Sequence, residues 1–202
     1  EISACLVGSE MCIRDSGNTT PKFSGGFGLN ATYKGFDMSM FFNFMYDFDV
    51  LNANKIMLTT WADNKENNFL MDIASDKRWR NFDDMGNEIR YSPEVLAEFN
   101  KNATMWNPTS IGRPICMSYA VEDGSFLRLN SATLGYTLPS VWTKKVGLSK
   151  VRFYVSGNNL FTLTGYSGYD PEVNIATGLT PNIDYNRYPR SRTYTFGAQL
   201  TF

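Results

Sequence analysis

The 202-residue sequence has no histidine and only three cysteines. Without histidine the commonest general base and metal ligand is gone, so neither a Ser/His/Asp triad nor an ordinary zinc site can be assembled. Cys5, Cys12 and Cys116 show no metal-ligand spacing, and no disulfide is expected among them. Excess charge is missing too: 19 basic residues against 20 acidic ones give a net charge of −1. That leaves no basic footprint for nucleic acid, and no run of Lys and Arg suits an anionic membrane surface. No enzyme, cofactor or metal is expected. A stretch of about 18 apolar residues is also lacking, which excludes a transmembrane helix, but a transmembrane β-strand needs only about 9–11 residues.

What is present is alternation. Apolar residues make up 43% of the chain and aromatics 15%. From Phe23 the odd positions Phe23, Phe27, Leu29, Ala31 and Tyr33 are apolar, and Ser24, Gly26, Gly28, Asn30 and Thr32 lie between them. After Lys34-Gly35 the phase reverses, and Phe36, Met38, Met40, Phe42, Phe44 and Tyr46 alternate with Asp37, Ser39 and Asn43. A two-residue turn would pair Tyr33 with Phe36 and put both apolar sets on one face. A third strand is expected over 126–138 with a break of phase near Asn130, and a fourth over 151–164. A short connection with one helical turn around Trp142 would join them. The last strand alternates Tyr194, Phe196, Ala198, Leu200 and Phe202 with Thr193, Thr195, Gly197, Gln199 and Thr201.

Strands long enough to cross a bilayer, apolar on one face and small or polar on the other, predict an all-β fold. It comprises about five C-terminal antiparallel strands of a large transmembrane β-barrel. Short connections at Lys34-Gly35 and 139–150 would lie in the periplasm, and long ones over about 47–123 and 165–192 outside the cell. A soluble secreted β-sandwich that binds carbohydrate is the alternative, and it would carry charge on its outer faces.

Residues 5–16, CLVGSEMCIRDS, resemble the translation of a transposase-end sequencing adapter. The expected organisation is therefore a non-native segment over 1–16 and barrel over 17–202. Four stretches of the remainder resemble the C-terminal region of SusC/RagA-type TonB-dependent transporters of the Bacteroidota outer membrane. They are TYKGFDMSMFFNF (32–44), GSFLRLNSATLGYTLP (124–139), VRFYVSGNNLFTLTGYSGYDPEVN (151–174) and YPRSRTYTFGAQLTF (188–202).

The resemblance implies a 22-stranded barrel with an N-terminal plug, energy supplied through TonB by a region absent here, and a SusD-like surface lipoprotein as lid. The substrates it implies are oligosaccharides or peptides. Alternation ending on Phe202, with Tyr194, Phe196 and Leu200, resembles the signal read by the barrel-assembly machinery, and outer-membrane lipid is the expected surrounding.

Tyr166, Tyr169, Asp170, Glu172, Arg187, Arg190 and Arg192 could contact substrate or the lipoprotein at the barrel mouth, or could pack within their loop. Asp170 and Glu172 also have the proximity of a glycosidase pair, but Gly168 and the Asp170-Pro171 step are turn chemistry. Residues 83–88 offer oxygen ligands without the spacing of a calcium loop and read as a hairpin turn. Trp61, Trp79 and Trp106 could stack on sugars or hold the long loop together. A foreign origin for residues 1–16 predicts that the parent gene, resequenced upstream of Gly17, encodes further strands, a plug and a TonB box. Finding 1–16 in the parent gene would refute it.

Overall fold

The structure is a computed structural model that describes residues 17–60, 69–73, 77–108, 117–172 and 182–202. The adapter-like residues, Trp61 and Cys116 lie outside the described residues. The strands are β1 (Phe23–Tyr33), β2 (Phe36–Tyr46), β3 (Asp49–Asn52), β4 (Val121–Asp123), β5 (Phe126–Thr137), β6 (Lys150–Thr164), β7 (Ile183–Asp184) and β8 (Thr193–Thr201). Helices α1 (Ala53–Thr59), α2 (Pro93–Phe99) and α3 (Ser140–Thr143) are short. The described residues divide into two compact units, one drawn from 17–51 and 121–202 and the other from 52–120.

In the first unit β1, β2, β5, β6 and β8 form one antiparallel meander in that order. Tyr33 lies opposite Phe36 and Phe23 opposite Tyr46, so every apolar position of β1 meets an apolar position of β2, the register expected from a two-residue turn. Lys34 and Gly35 both have positive φ, 46° and 89°. Such a turn twists in the same sense as the strands it joins. A methyl group on Gly35 would meet the Thr137 carbonyl oxygen at 2.9 Å.

The outer face is aromatic and uncovered. Phe27 stacks on Phe42 at 4.9 Å and Phe36 meets Tyr136 at a tilt at 4.4 Å, yet Phe153 and Phe196 remain 51% and 76% exposed. No second layer lies over this face among the described residues, unlike the buried face of a sandwich. Eleven residues in β1, at about 3.3 Å each and tilted about 45°, rise roughly 26 Å, close to the apolar band of an outer-membrane barrel.

The phase break at Asn130 is a bulge. Opposite β2 the register runs Phe41 with Ser131 and then Phe42 with Leu129, leaving Asn130 unpaired. Opposite β6 it runs Ser131 with Asn158 and then Leu129 with Phe161, so β6 sets two residues, Asn159 and Leu160, against the one of β5 and none of β2. One extra residue flips the side-chain phase of β5, while two preserve that of β6. Asn159 takes a left-handed φ of 53° to absorb the excess.

Beyond the ends of β2 and β5 the chain builds a small sheet, ordered β4, β3, β7, that alternation did not foretell. Phe48, Val50, Phe126 and Tyr166 make its buried core. Gly124 permits the packing, since a methyl there would come within 2.6 Å of both Phe48 and Val50.

The second unit is stitched by polar contacts. Asn52 caps α1 by accepting from the Lys55 amide at 3.2 Å. Asn100 grips Arg80, accepting from its amide at 2.6 Å and donating to its carbonyl at 2.9 Å. The 83–88 segment is a hairpin turn, as expected: the Asp83 carboxylate accepts from the amides of Met85 and Asn87 and from the Asn87 side chain. Those bonds hold the carboxyl below the usual carboxylate range.

The short turn should be sensitive to its glycine. Gly35→Val should cost at least about 1–2 kcal/mol in a denaturant titration of the intact barrel, from left-handed strain and the Thr137 clash. Lys34→Asn should be near neutral, because asparagine accepts a positive φ. Equal effects would contradict the turn geometry.

Candidate functional site

Two polar clusters stand on the inner face of the sheet. The first lies at the short-connection end. Arg152 of β6 reaches across β5 to Asp37 of β2, with Nε to Oδ1 at 2.9 Å and Nη2 to Oδ2 at 2.5 Å. This two-pronged geometry suits the planar guanidinium. The pair passes over Gly135, where a methyl would fall 2.5 Å from the guanidinium and 2.6 Å from the carboxylate. The Arg152 guanidinium also sits 5.3 Å from the Tyr154 ring centroid, and Tyr154 in turn covers Gly197. Phe41 lies over Gly26 in the same way, at 2.8 Å from where a methyl would sit. Sequence alternation put polar residues at Asp37, Ser39 and Asn43 but passed over Phe41 and the Asp37–Arg152 pair.

The second cluster lies at the long-loop end. The bulge turns Arg128 inward, where its side chain is 2% exposed. One guanidinium nitrogen binds the Asp170 carboxylate and another lies 3.4 Å from Glu172, which accepts from Arg190 at 2.8 Å. Asp170 also accepts from the Glu172 amide at 3.0 Å, closing the Asp-Pro turn. Residues 166–172 thus fold back onto the inner wall, pinned by one buried cation. With Arg128 between them, Asp170 and Glu172 form an ion-pair network and not an acid/base pair facing a free substrate.

The expected contact residues divide by position. Asp170 and Glu172 come together on Arg128, a residue not singled out beforehand, and Arg190 joins them through Glu172. Tyr166 is 6% exposed and donates to Asp184 at 2.7 Å, and burial together with that carboxylate pushes its hydroxyl pKa well above the tyrosine value. Its neutral form is therefore the one that stabilises the loop. That contribution is complete below pH 10.0, the ordinary tyrosine value, and is lost as the pH climbs through the raised one. Tyr169 is 83% exposed, and Arg187 and Arg192 are exposed as well. Tyr194, Phe196 and Leu200 point outward along β8, and Phe202 follows its end.

Of the tryptophans, Trp106 is held inside its unit, donating to the Thr59 carbonyl at 3.2 Å and meeting Tyr119 edge to face. Trp79 is half exposed in an open groove of about 530 Å³ lined also by Asn81, Thr104 and Asn107. No group of acidic or cysteine ligands suited to a metal occurs among the described residues.

A sheet with one bare apolar face of bilayer height, a small and polar opposite face, and long elaborated connections at one end defines a segment of transmembrane β-barrel wall. The chain belongs to the TonB-dependent receptors of the SusC/RagA type, which are outer-membrane proteins. It is 34% identical over 192 residues to TonB-dependent receptor P3 of Formosa agariphila, covering 92% of this chain and 17% of that receptor. To TonB-dependent receptor SusC of Bacteroides thetaiotaomicron it is 38% identical over 88 residues, 42% of this chain and 8% of SusC.

Solved structures of the RagAB peptide importer match 91% of this chain and 17% of theirs. In the open-open state the TM-score is 0.66 with 26% identity, and in the closed-closed state 0.67 with 25%. No family profile matches. The chain therefore spans about a sixth of the length of these relatives.

The Arg128 cluster makes a graded prediction. Asp170→Ala strips a buried guanidinium of its nearer carboxylate and should cost about 3–5 kcal/mol of local stability. Arg190→Ala breaks only a solvent-screened bridge and should cost less than about 1 kcal/mol. Amide hydrogen exchange over 166–172 in the intact receptor reads both, and equal protection in the two variants would refute the clasp.

Proposed function

We propose that this chain is part of the wall of an importer that takes up oligosaccharides or peptides together with a SusD-like surface lipoprotein. Transport energy would arrive from TonB through a region beyond the chain. The observation that carries the reading is the two-faced sheet, because an unbroken apolar exterior needs lipid and a glycine-rich polar interior needs water. The names of SusC and of the RagAB peptide importer support a nutrient as cargo. Catalysis is no part of the role.

On this reading the short connections face the periplasm and the long ones the cell exterior. Tyr169, Arg187 and Arg192 are the exposed members of the mouth, and they would meet substrate or the lipoprotein. Asp170, Glu172 and Arg190 would shape the loop that presents them, and Tyr166 would anchor it. Trp79 offers a flat face on which a sugar ring could stack. The outward row Tyr194, Phe196, Leu200 and Phe202 would be read by the barrel-assembly machinery. The adapter-like residues 1–16 have no place in the parent barrel.

Arginine at adjacent positions tests the reading. Met40 points outward near the middle of β2, and Ser39 points inward between Asn30 and Thr133. Asn43 is the poorer inward control, since it lies directly opposite Arg128. A lipid-facing arginine near the midplane costs about 2–4 kcal/mol, whereas one in a wet lumen keeps its hydration. Met40→Arg should cut the heat-modifiable folded fraction of the full-length receptor in outer membranes, and Ser39→Arg should leave it near wild type. The reverse order would mean that the faces are exchanged.

A further inference from the structure

The outer face is not uniformly aromatic. Between β5, β6 and β8, toward the short connections, a groove of about 510 Å³ opens, lined among others by Phe36, Tyr136, Phe153, Phe196 and Ala198. Ala198 lines it and pairs with Phe153 across the β6–β8 ladder, a small side chain facing an aromatic one. A smooth barrel exterior meets lipid tails without preference, but a slot one small residue deep can hold a chain in place.

Charge at this end is one-sided. Among residues 32–37, 134–153 and 197–202 the only acidic side chain is Asp37, and it is tied to Arg152 on the inner face. Lys34, Lys144 and Lys145 are exposed on the two short connections. The Lys34 ammonium lies 5.2 Å from the ring centroid of Tyr33, an outward-facing residue, which places that charge on the lipid side of the sheet. Trp142, in the helix before Lys144, is 62% exposed, as an interfacial anchor would be.

An apolar slot with flanking aromatics, and three exposed lysines on the two short connections at the same end of the sheet, make a complementary surface for a single kind of molecule. We propose that this face retains an anionic phospholipid of the periplasmic leaflet, one acyl chain in the Ala198 groove and the headgroup phosphate against Lys34, Lys144 and Lys145. The proposal rests on the barrel reading above for which end is periplasmic. A single lysine run would have been visible in the sequence; here the turn and the β5–β6 connection, 110 residues apart at Lys34 and Lys144, supply it jointly.

The test uses the intact receptor in detergent, incubated with equal amounts of phosphatidylglycerol and phosphatidylcholine and examined by native mass spectrometry. Heat-modifiable migration is scored on the same samples, so loss of the barrel itself is seen separately. Wild type should retain phosphatidylglycerol preferentially. Each of Lys34→Asn, Lys144→Gln and Lys145→Gln should reduce that preference about fivefold, the factor matching about 1 kcal/mol per basic residue near a charged surface. Ala198→Phe fills the groove with a residue lipid accepts, and should reduce retention of both lipids. Equal retention of the two lipids by folded wild type, a preference that survives loss of all three lysines, or displacement of bound lipid by inorganic phosphate alone would overturn the proposal.

Discussion

Hydrocarbon offers a peptide group nothing to bond with, and the structure depends on that before all else. Each backbone N–H and C=O of a strand in the bilayer must find its partner on the neighbouring strand, which forces long, regular, adjacent ladders. The meander from β1 to β8 meets the demand through four consecutive antiparallel pairings. Side chains are then free to divide the work. Outward ones need only be apolar, and inward ones only hydrated or mutually paired. Bulges are admitted where the ladder can still close, as at Asn130 opposite Asn159 and Leu160.

The inner wall follows from a second rule, that large groups stand over glycines. Asp37 and Arg152 clasp above Gly135, Tyr154 covers Gly197, and Phe41 covers Gly26. These glycines lie in strands where the residue is otherwise unfavourable, for it loses entropy and packs nothing. The close approach they allow is the compensation. It also fixes the inward groups, so the lumen surface is a set of held side chains and not a loose brush.

Period-two alternation carried the five long strands, the β1–β2 register and the bulge in the sequence, because bilayer burial stamps one face uniformly. Two clusters were not legible. Asp37 and Arg152 lie 115 residues apart, and only the ladder brings them together. Arg128 is harder still: counted back from Leu134 and Ala132 it falls on the outward phase, where no arginine belongs, and only the skipped Asn130 turns it inward. Asp170, Glu172 and Arg190 were visible as candidates, but without Arg128 nothing joined them. The small sheet of β3, β4 and β7 was hidden because strands of two to four residues carry too few positions to show a period.

The line through Asn130, Asn159 and Leu160 has a consequence for descent. A single-residue insertion there exchanges the fates of every position above it on that strand, while a double insertion leaves them unchanged. Length changes at this line are therefore read by parity. An odd indel can recruit a charged residue such as Arg128 from lipid to lumen in one genetic event, without a substitution and without disturbing the pairings below. Barrel walls of this kind can thus acquire new interior chemistry by counting, a route closed to proteins whose two faces do not alternate.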